Sequence, residues 1–151
     1  MAKLLWHSRE TSIMTRAPLE TVKAFYVSLA PGRRQNLMEL LDPDVILEVQ
    51  DGMPGTRPTY FGIRAYLEDF LFDLYGEFEL DLVPEEFFQA GRHVVTLGRQ
   101  KGRAVRSGIP YDVRFSHVWS VTDGKVTHVR MLTDTAVLRD AVAGLRTADR
   151  T

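Results

Sequence analysis

A single histidine set among aromatic residues, in Phe115-Ser116-His117-Val118-Trp119, is the part of this chain best equipped for chemistry. An imidazole beside Phe115 and Trp119 on an apolar strand face can transfer a proton or hydrogen-bond a ligand oxygen. Desolvation there would push its pKa down and keep it neutral. The same setting also fits a core histidine satisfied by a backbone carbonyl or a water. The acid that could partner it is Asp51, at a strand end, where a carboxylate facing a pocket has the placement of a general base. Ahead of Gly52-Met53-Pro54-Gly55 it equally suits a turn. Trp119, Phe115 and Met131 would wall a pocket or a core. Tyr26 and Tyr60 could each bring a hydroxyl to a pocket, or seal a core or a dimer seam.

Other chemistries are poorly supplied. The chain has no cysteine, which removes thiolate nucleophiles, cysteine-ligated metals and disulfides. His93 and His128 have no metal-ligand spacing with other His, Asp or Glu, so no metal is expected. There is no glycine-rich phosphate loop and no nucleophile elbow, and no cofactor is expected. The net charge is −1 with acids and bases interspersed, which argues against nucleic acid as a partner. Met1 to Trp6 turns polar at His7-Ser8-Arg9-Glu10, too short for a signal peptide, and no run reaches membrane-spanning length. No membrane partner and a cytoplasmic location are therefore the expectations. Glu85-Glu86 before Phe87-Phe88 reads as a solvated strand edge.

The elements that must position these residues follow from periodicity. Residues 1–16 show no period and read as a loose lead-in; residues 17–146 read as one domain and 147–151 as a tail. Pro18 opens a helix carrying Val22, Phe25, Tyr26 and Leu29, which Ala30-Pro31-Gly32 stops. A short second helix carries Leu37, Met38, Leu40 and Leu41. Asp42-Pro43-Asp44 breaks it and delivers a strand from Val45 to Gln50. After a loop rich in glycine and proline, Ile63, Tyr66, Leu67, Phe70, Leu71 and Leu74 form one apolar helical stripe that Gly76 ends. Strands follow: Phe78 to Leu82, interrupted at Pro84, then one beginning at His93 and a hairpin after Gly108-Ile109-Pro110. Helices first and a meander of strands later predict an α+β fold, with helices packed on one face of a curved antiparallel sheet.

The hairpin register decides which way His117 points, because a slip of one residue reverses a strand's faces. A loop of Asp123-Gly124 alone sets His117 opposite Arg130 and Trp119 opposite His128. A three-residue loop, Thr122-Asp123-Gly124, instead sets Val121, Trp119, His117 and Phe115 beside Thr127, Val129, Met131 and Thr133, giving one coherent apolar face. The three-residue loop is the expectation. Thr133-Asp134-Thr135 then opens the last helix, with Asp134 as its cap.

Val22-Lys23-Ala24-Phe25-Tyr26, Leu41-Asp42-Pro43-Asp44-Val45, Tyr60-Phe61-Gly62, Phe115 to Trp119 and Asp123-Gly124-Lys125-Val126 resemble, in order and spacing, the SnoaL-like, ketosteroid isomerase-like branch of the nuclear transport factor 2-like superfamily. The resemblance implies a cone-shaped curved sheet of cystatin-like type, with helices on its concave face around an apolar pocket, usually in a homodimer. It also implies a small apolar ligand: the chain would act as an isomerase, cyclase or hydrolase on an apolar carbonyl or polyketide-like compound, or bind such a compound without chemistry. The family's polar groups carry over only in part. Phe25 falls where the isomerases place an oxyanion-stabilising tyrosine, Val49 where they place the basic aspartate, and Met131 where the cyclases and epoxide hydrolases place an acid. Asp51 is the nearest acid of the same strand parity as Val49. His117 falls on or next to the second oxyanion donor.

Overall fold

The computed structural model describes residues 16–146. The expected tail, and the expected lead-in apart from Arg16, lie outside the described residues. Helix α1 (Pro18–Ser28) starts with proline at its first turn, where the missing N–H costs nothing, and buries Val22 and Phe25. A 3-10 turn (Arg34–Asn36) leads into the four-residue α2 (Leu37–Leu40). Strand β1 (Leu41–Val49) starts earlier than the sequence suggests, because Leu41 already pairs with Val126. The ladder then breaks across Asp42-Pro43-Asp44 and resumes at Ile46.

Strand β2 (Thr59–Phe61) leads into the helical run over residues 62–77, which is not uniformly α. It begins as α3 (Gly62–Arg64), loosens to a π-helical stretch (Ala65–Phe70) and ends as α4 (Leu71–Glu77). Gly76 lies inside its last turn rather than ending it. Strands β3 (Phe78–Ala90), β4 (His93–Ala104), β5 (Pro110–Thr122) and β6 (Lys125–Thr133) follow, then helix α5 (Thr135–Val142). Asp134 caps α5 as expected, its Oδ1 accepting from Val137 N–H at 3.1 Å.

The fold is α+β, as expected: one curved, open six-stranded sheet in the order β2-β1-β6-β5-β4-β3, with α1 packed across β3 to β6. Its pairings are antiparallel with one exception, since β1 runs parallel to β6. Pro84 does not end β3. This is an edge strand, so the missing N–H is absorbed by a bulge between Pro84 and Glu86, and pairing with β4 continues to Ala90. Gly98 and Gly102 on β4 allow β3 to close in. A Cβ on Gly98 would overlap the Val83 carbonyl and the Phe115 ring, and one on Gly102 would overlap the Glu79 carbonyl.

The β5–β6 hairpin corrects the expected loop while keeping the register that matters. Asp123 (φ 51°) and Gly124 (φ 73°) make a two-residue turn of the primed kind, with Thr122 paired to Lys125 and Val121 to Val126. Thr127 is then the extra residue of a bulge, and its hydroxyl donates to the Ser120 carbonyl at 3.2 Å. Beyond the bulge Trp119 faces Val129, His117 faces Met131 and Phe115 faces Thr133. The single-residue offset assigned to the loop lies three residues further along.

Candidate functional site

Strand β5 and two helical segments bring the aromatic residues together. Phe115, His117 and Trp119 alternate on the buried face of β5, with Ser116, Val118 and Ser120 on the other side. Phe25 and Tyr26 descend from α1 onto that face: Phe25 lies 4.9 Å from the Trp119 ring between centroids, and Tyr26 lies parallel to the His117 ring at 5.9 Å. Phe115 stacks on His117 at 4.3 Å. These residues wall one side of a cavity of about 490 Å³, and Tyr66, Leu67, Phe70, Leu71 and Leu74 of the mixed helix wall another. The volume suits a ring-built small molecule.

At the centre of this wall the Tyr26 hydroxyl and His117 Nδ1 are 2.6 Å apart. His117 is 5% exposed, and burial pushes its imidazole down to about 3, so the ring is neutral at physiological pH. Burial likewise raises the Tyr26 phenol far above its ordinary range, partly offset by the Thr96 hydroxyl and the Trp119 indole beside it. Trp119 Nε1 is held in place by donating to Thr96 Oγ1 at 3.2 Å. With both partners neutral, one proton lies between them. If the phenol donates to Nδ1, Nε2–H is the donor left for a ligand, while the phenolic oxygen already has the Thr96 hydroxyl and the Trp119 indole beside it. If Nδ1–H donates, the phenol proton is free and Nε2 accepts. Either tautomer leaves the pair a donor for a ligand oxygen.

The structure separates the expected site residues into two groups. His117, Tyr26, Phe25, Phe115, Trp119, Val49 and Met131 all line the cavity. Asp51 does not join them: it is exposed in the turn after β1 and outside the lining, while its neighbour Gln50 takes the inward position. Tyr60 is also a correction. Its side chain is buried against Phe70, donating to Asp73 Oδ2 at 2.6 Å and accepting from Arg57 N–H at 2.9 Å, and it does not line the cavity.

Sequence reasoning missed several lining groups. Tyr66 counted only as part of an apolar stripe, yet its hydroxyl is fully buried without a hydrogen-bond partner, and burial together with the nearby Tyr26 phenol raises its pKa well above the usual value. Gln50 and Gln100 also line the cavity; a glutamine facing inward from a strand was the available signal. Where the lining is exposed, Arg34 donates to the Tyr75 hydroxyl at 3.2 Å and Asp81 adds a carboxylate. Among the described residues no group of three or more His, Cys, Asp or Glu is placed to hold a metal ion. No helix among them is long and apolar enough to cross a membrane.

Comparison with known proteins agrees with this architecture. The family model of the SnoaL-like domain matches residues 22–129, most of the chain, from within α1 through β1 to β5 and into β6. The chain belongs to the SnoaL-like family. Among solved structures, this SnoaL-like chain is similar to a nuclear transport factor 2-like protein of unknown function from Burkholderia pseudomallei: 26% identity, TM-score 0.76, covering 83% of this chain and 96% of that one. It is also similar to TerC co-crystallised with polyporic acid: 26% identity, TM-score 0.75, covering 83% and 98%. A SnoaL-like polyketide cyclase from Jannaschia shares the fold at 22% identity and TM-score 0.70, covering 83% and 91%. Among functionally curated proteins, none matches the chain.

Proposed function

We propose that this SnoaL-like protein binds a small, apolar, ring-built compound in its cavity and holds one of the compound's oxygens with the Tyr26–His117 pair. The observation that carries the reading is the 2.6 Å contact between two neutral polar groups, the buried His117 and the half-buried Tyr26, in an aromatic wall. Such a pair offers a ligand oxygen a hydrogen bond in a low-dielectric setting, where leaving it unmade is expensive. That a structural neighbour at 26% identity was co-crystallised with polyporic acid supports a small-molecule role for the cavity.

The same contact favours a second reading, catalysis as an isomerase, cyclase or hydrolase. In that case the pair acts as a neutral electrophile that polarises a carbonyl, in the manner of an oxyanion hole. It does not act as a base, because an imidazole with a pKa of about 3 takes up a proton poorly and Asp51 lies outside the cavity. Recovery of a bound ketone unchanged after long incubation would leave binding as the whole function.

The test of the binding reading is the affinity for 2-acetylnaphthalene against its hydrocarbon analogue 2-ethylnaphthalene. The wild-type protein is expected to prefer the ketone by about tenfold, one hydrogen bond's worth, and the Tyr26→Phe, His117→Leu double variant to lose that preference. No binding of either compound, or a preference that survives in the double variant, contradicts the reading.

A further inference from the structure

The mixed helix over residues 62–77 is tied to its neighbours with unequal strength on its two sides. On one side lies the loop after β1, which brings Met53 into the cavity lining. The Tyr60 hydroxyl joins this loop to the helix, accepting from Arg57 N–H at 2.9 Å and donating to Asp73 Oδ2 at 2.6 Å. Arg57 pairs with Asp69 at 3.3 Å, and Gly55 lies so close to Glu77 that a Cβ would overlap its side chain. That side is firmly held. On the other side, toward α1, the rings of Phe25 and Tyr66 meet at 5.7 Å in the buried interior. Nearer the surface the two walls are joined by Arg34, on the 3-10 turn after α1, and Tyr75, on α4. Arg34 donates to the Tyr75 hydroxyl at 3.2 Å, and its guanidinium lies 5.2 Å from the centre of the Tyr75 ring. Both residues line the cavity; Arg34 is exposed and Tyr75 half-buried, which places their contact at the rim.

We infer that the Arg34–Tyr75 contact is a side-chain gate on the cavity, shut in this structure, that sets how fast a ligand enters and leaves. The inference rests on the cavity being the ligand site. Arg34, Gln35 and Asn36 are all exposed, so the Arg34 side chain can swing into water without moving α1 or the sheet. Among the described residues no carboxylate lies within ion-pair distance of Arg34 to hold it more firmly. A hydrogen bond to a neutral hydroxyl and a cation–π contact, both near water, are weak, and together they favour the shut arrangement by roughly fivefold. A ligand held at Tyr26 and His117 makes the same contacts whether the gate is open or shut. Its binding therefore leaves the gate equilibrium where it was, and the gate acts on both rates and not on the affinity.

The probe is 6-acetyl-2-(dimethylamino)naphthalene, a neutral ketone whose fluorescence changes when it leaves water, so electrostatic steering by Arg34 plays no part. Stopped-flow mixing with the wild type, Arg34→Ala and Tyr75→Phe gives the association and dissociation rates. Arg34→Ala removes both parts of the contact. It is expected to raise both rates by about fivefold and to leave the dissociation constant within about twofold of the wild-type value. Tyr75→Phe keeps the ring beside the guanidinium and removes the hydroxyl, so its rates should fall between the two. Rates in Arg34→Ala equal to those of the wild type overturn the gate while the pocket stands. Faster dissociation with unchanged association does the same, because it makes Arg34 a ligand contact. Failure of the probe to bind the wild type overturns the pocket reading and the gate with it.

Discussion

His117 gives up most of its hydration in an aromatic wall, and its stability consequence has a definite sign. Its pKa falls from 6.5 to about 3 on folding. Between those values the unfolded chain binds a proton that the folded chain does not, so stability is complete above about pH 6.5 and is lost progressively as the pH falls toward 3. At about 1.4 kcal/mol for each tenfold change in proton affinity, the whole window amounts to something on the order of 4–5 kcal/mol. Denaturant unfolding of the wild type and of His117→Leu between pH 3 and 8 isolates this contribution from that of the carboxylates. The wild-type curve should fall more steeply on acidification, and parallel curves would show that the imidazole is solvated. At this scale the sequence was informative about His117, whose aromatic neighbours in a strand with an apolar face are local facts. It offered Tyr26 as a hydroxyl that could reach a pocket or seal a core or a dimer seam, and only the reach of α1 onto β5 brings that hydroxyl to His117. Asp51 was misplaced by strand parity, which fails where β1 gives way to a turn; Gln50, one residue earlier, is the inward group.

Among the elements, the β3–β4 pair depends on two glycines in a strand interior, where glycine is normally a weakness. Gly102 lies so close to the Glu79 carbonyl that any Cβ must push the strands apart, and β3 continues from there into Leu80 and Leu82 of the cavity wall. Gly102→Ala is therefore expected to destabilise the protein by about 1–3 kcal/mol, as overpacking against rigid backbone does. A melting temperature equal to that of the wild type would contradict this close approach. The helices and most strand positions were legible because apolar periodicity is a local signal, as in Val22, Phe25 and Leu29 on α1 or Phe115, His117 and Trp119 on β5. The turn and bulge of the hairpin were legible only as their sum. Asp123-Gly124 makes a two-residue turn and Thr127 adds the offset, and only the requirement for one apolar face showed that an offset had to exist. The π-helical stretch at Ala65–Phe70 has no counterpart in the pattern, since Tyr66, Leu67, Phe70 and Leu74 fit an ordinary α-helical stripe equally well.

On the scale of the whole molecule, the curved sheet and the helices laid across it enclose a cavity whose wall is apolar except at a few fixed points. The α+β class was legible from the order of the elements, and the family from the order and spacing of short segments. The parallel pairing of β1 with β6 was not, because it joins positions some eighty residues apart, such as Leu47 and Val129, through a crossover that no local pattern encodes. One proposed contact depends on all three scales: a neutral Tyr26–His117 pair, set on β5 by the hairpin and on α1 in its last turn, hydrogen-bonds a ligand oxygen inside that cavity. Difference infrared spectroscopy of bound 2-acetylnaphthalene probes this contact without an intermediary, since the carbonyl stretch reports the hydrogen bond itself. The expected stretch lies clearly below that of the ketone in hexane and returns to the hexane frequency in the Tyr26→Phe, His117→Leu double variant. A hexane-like stretch in the wild-type complex, or a lowered one that the double variant keeps, would contradict it.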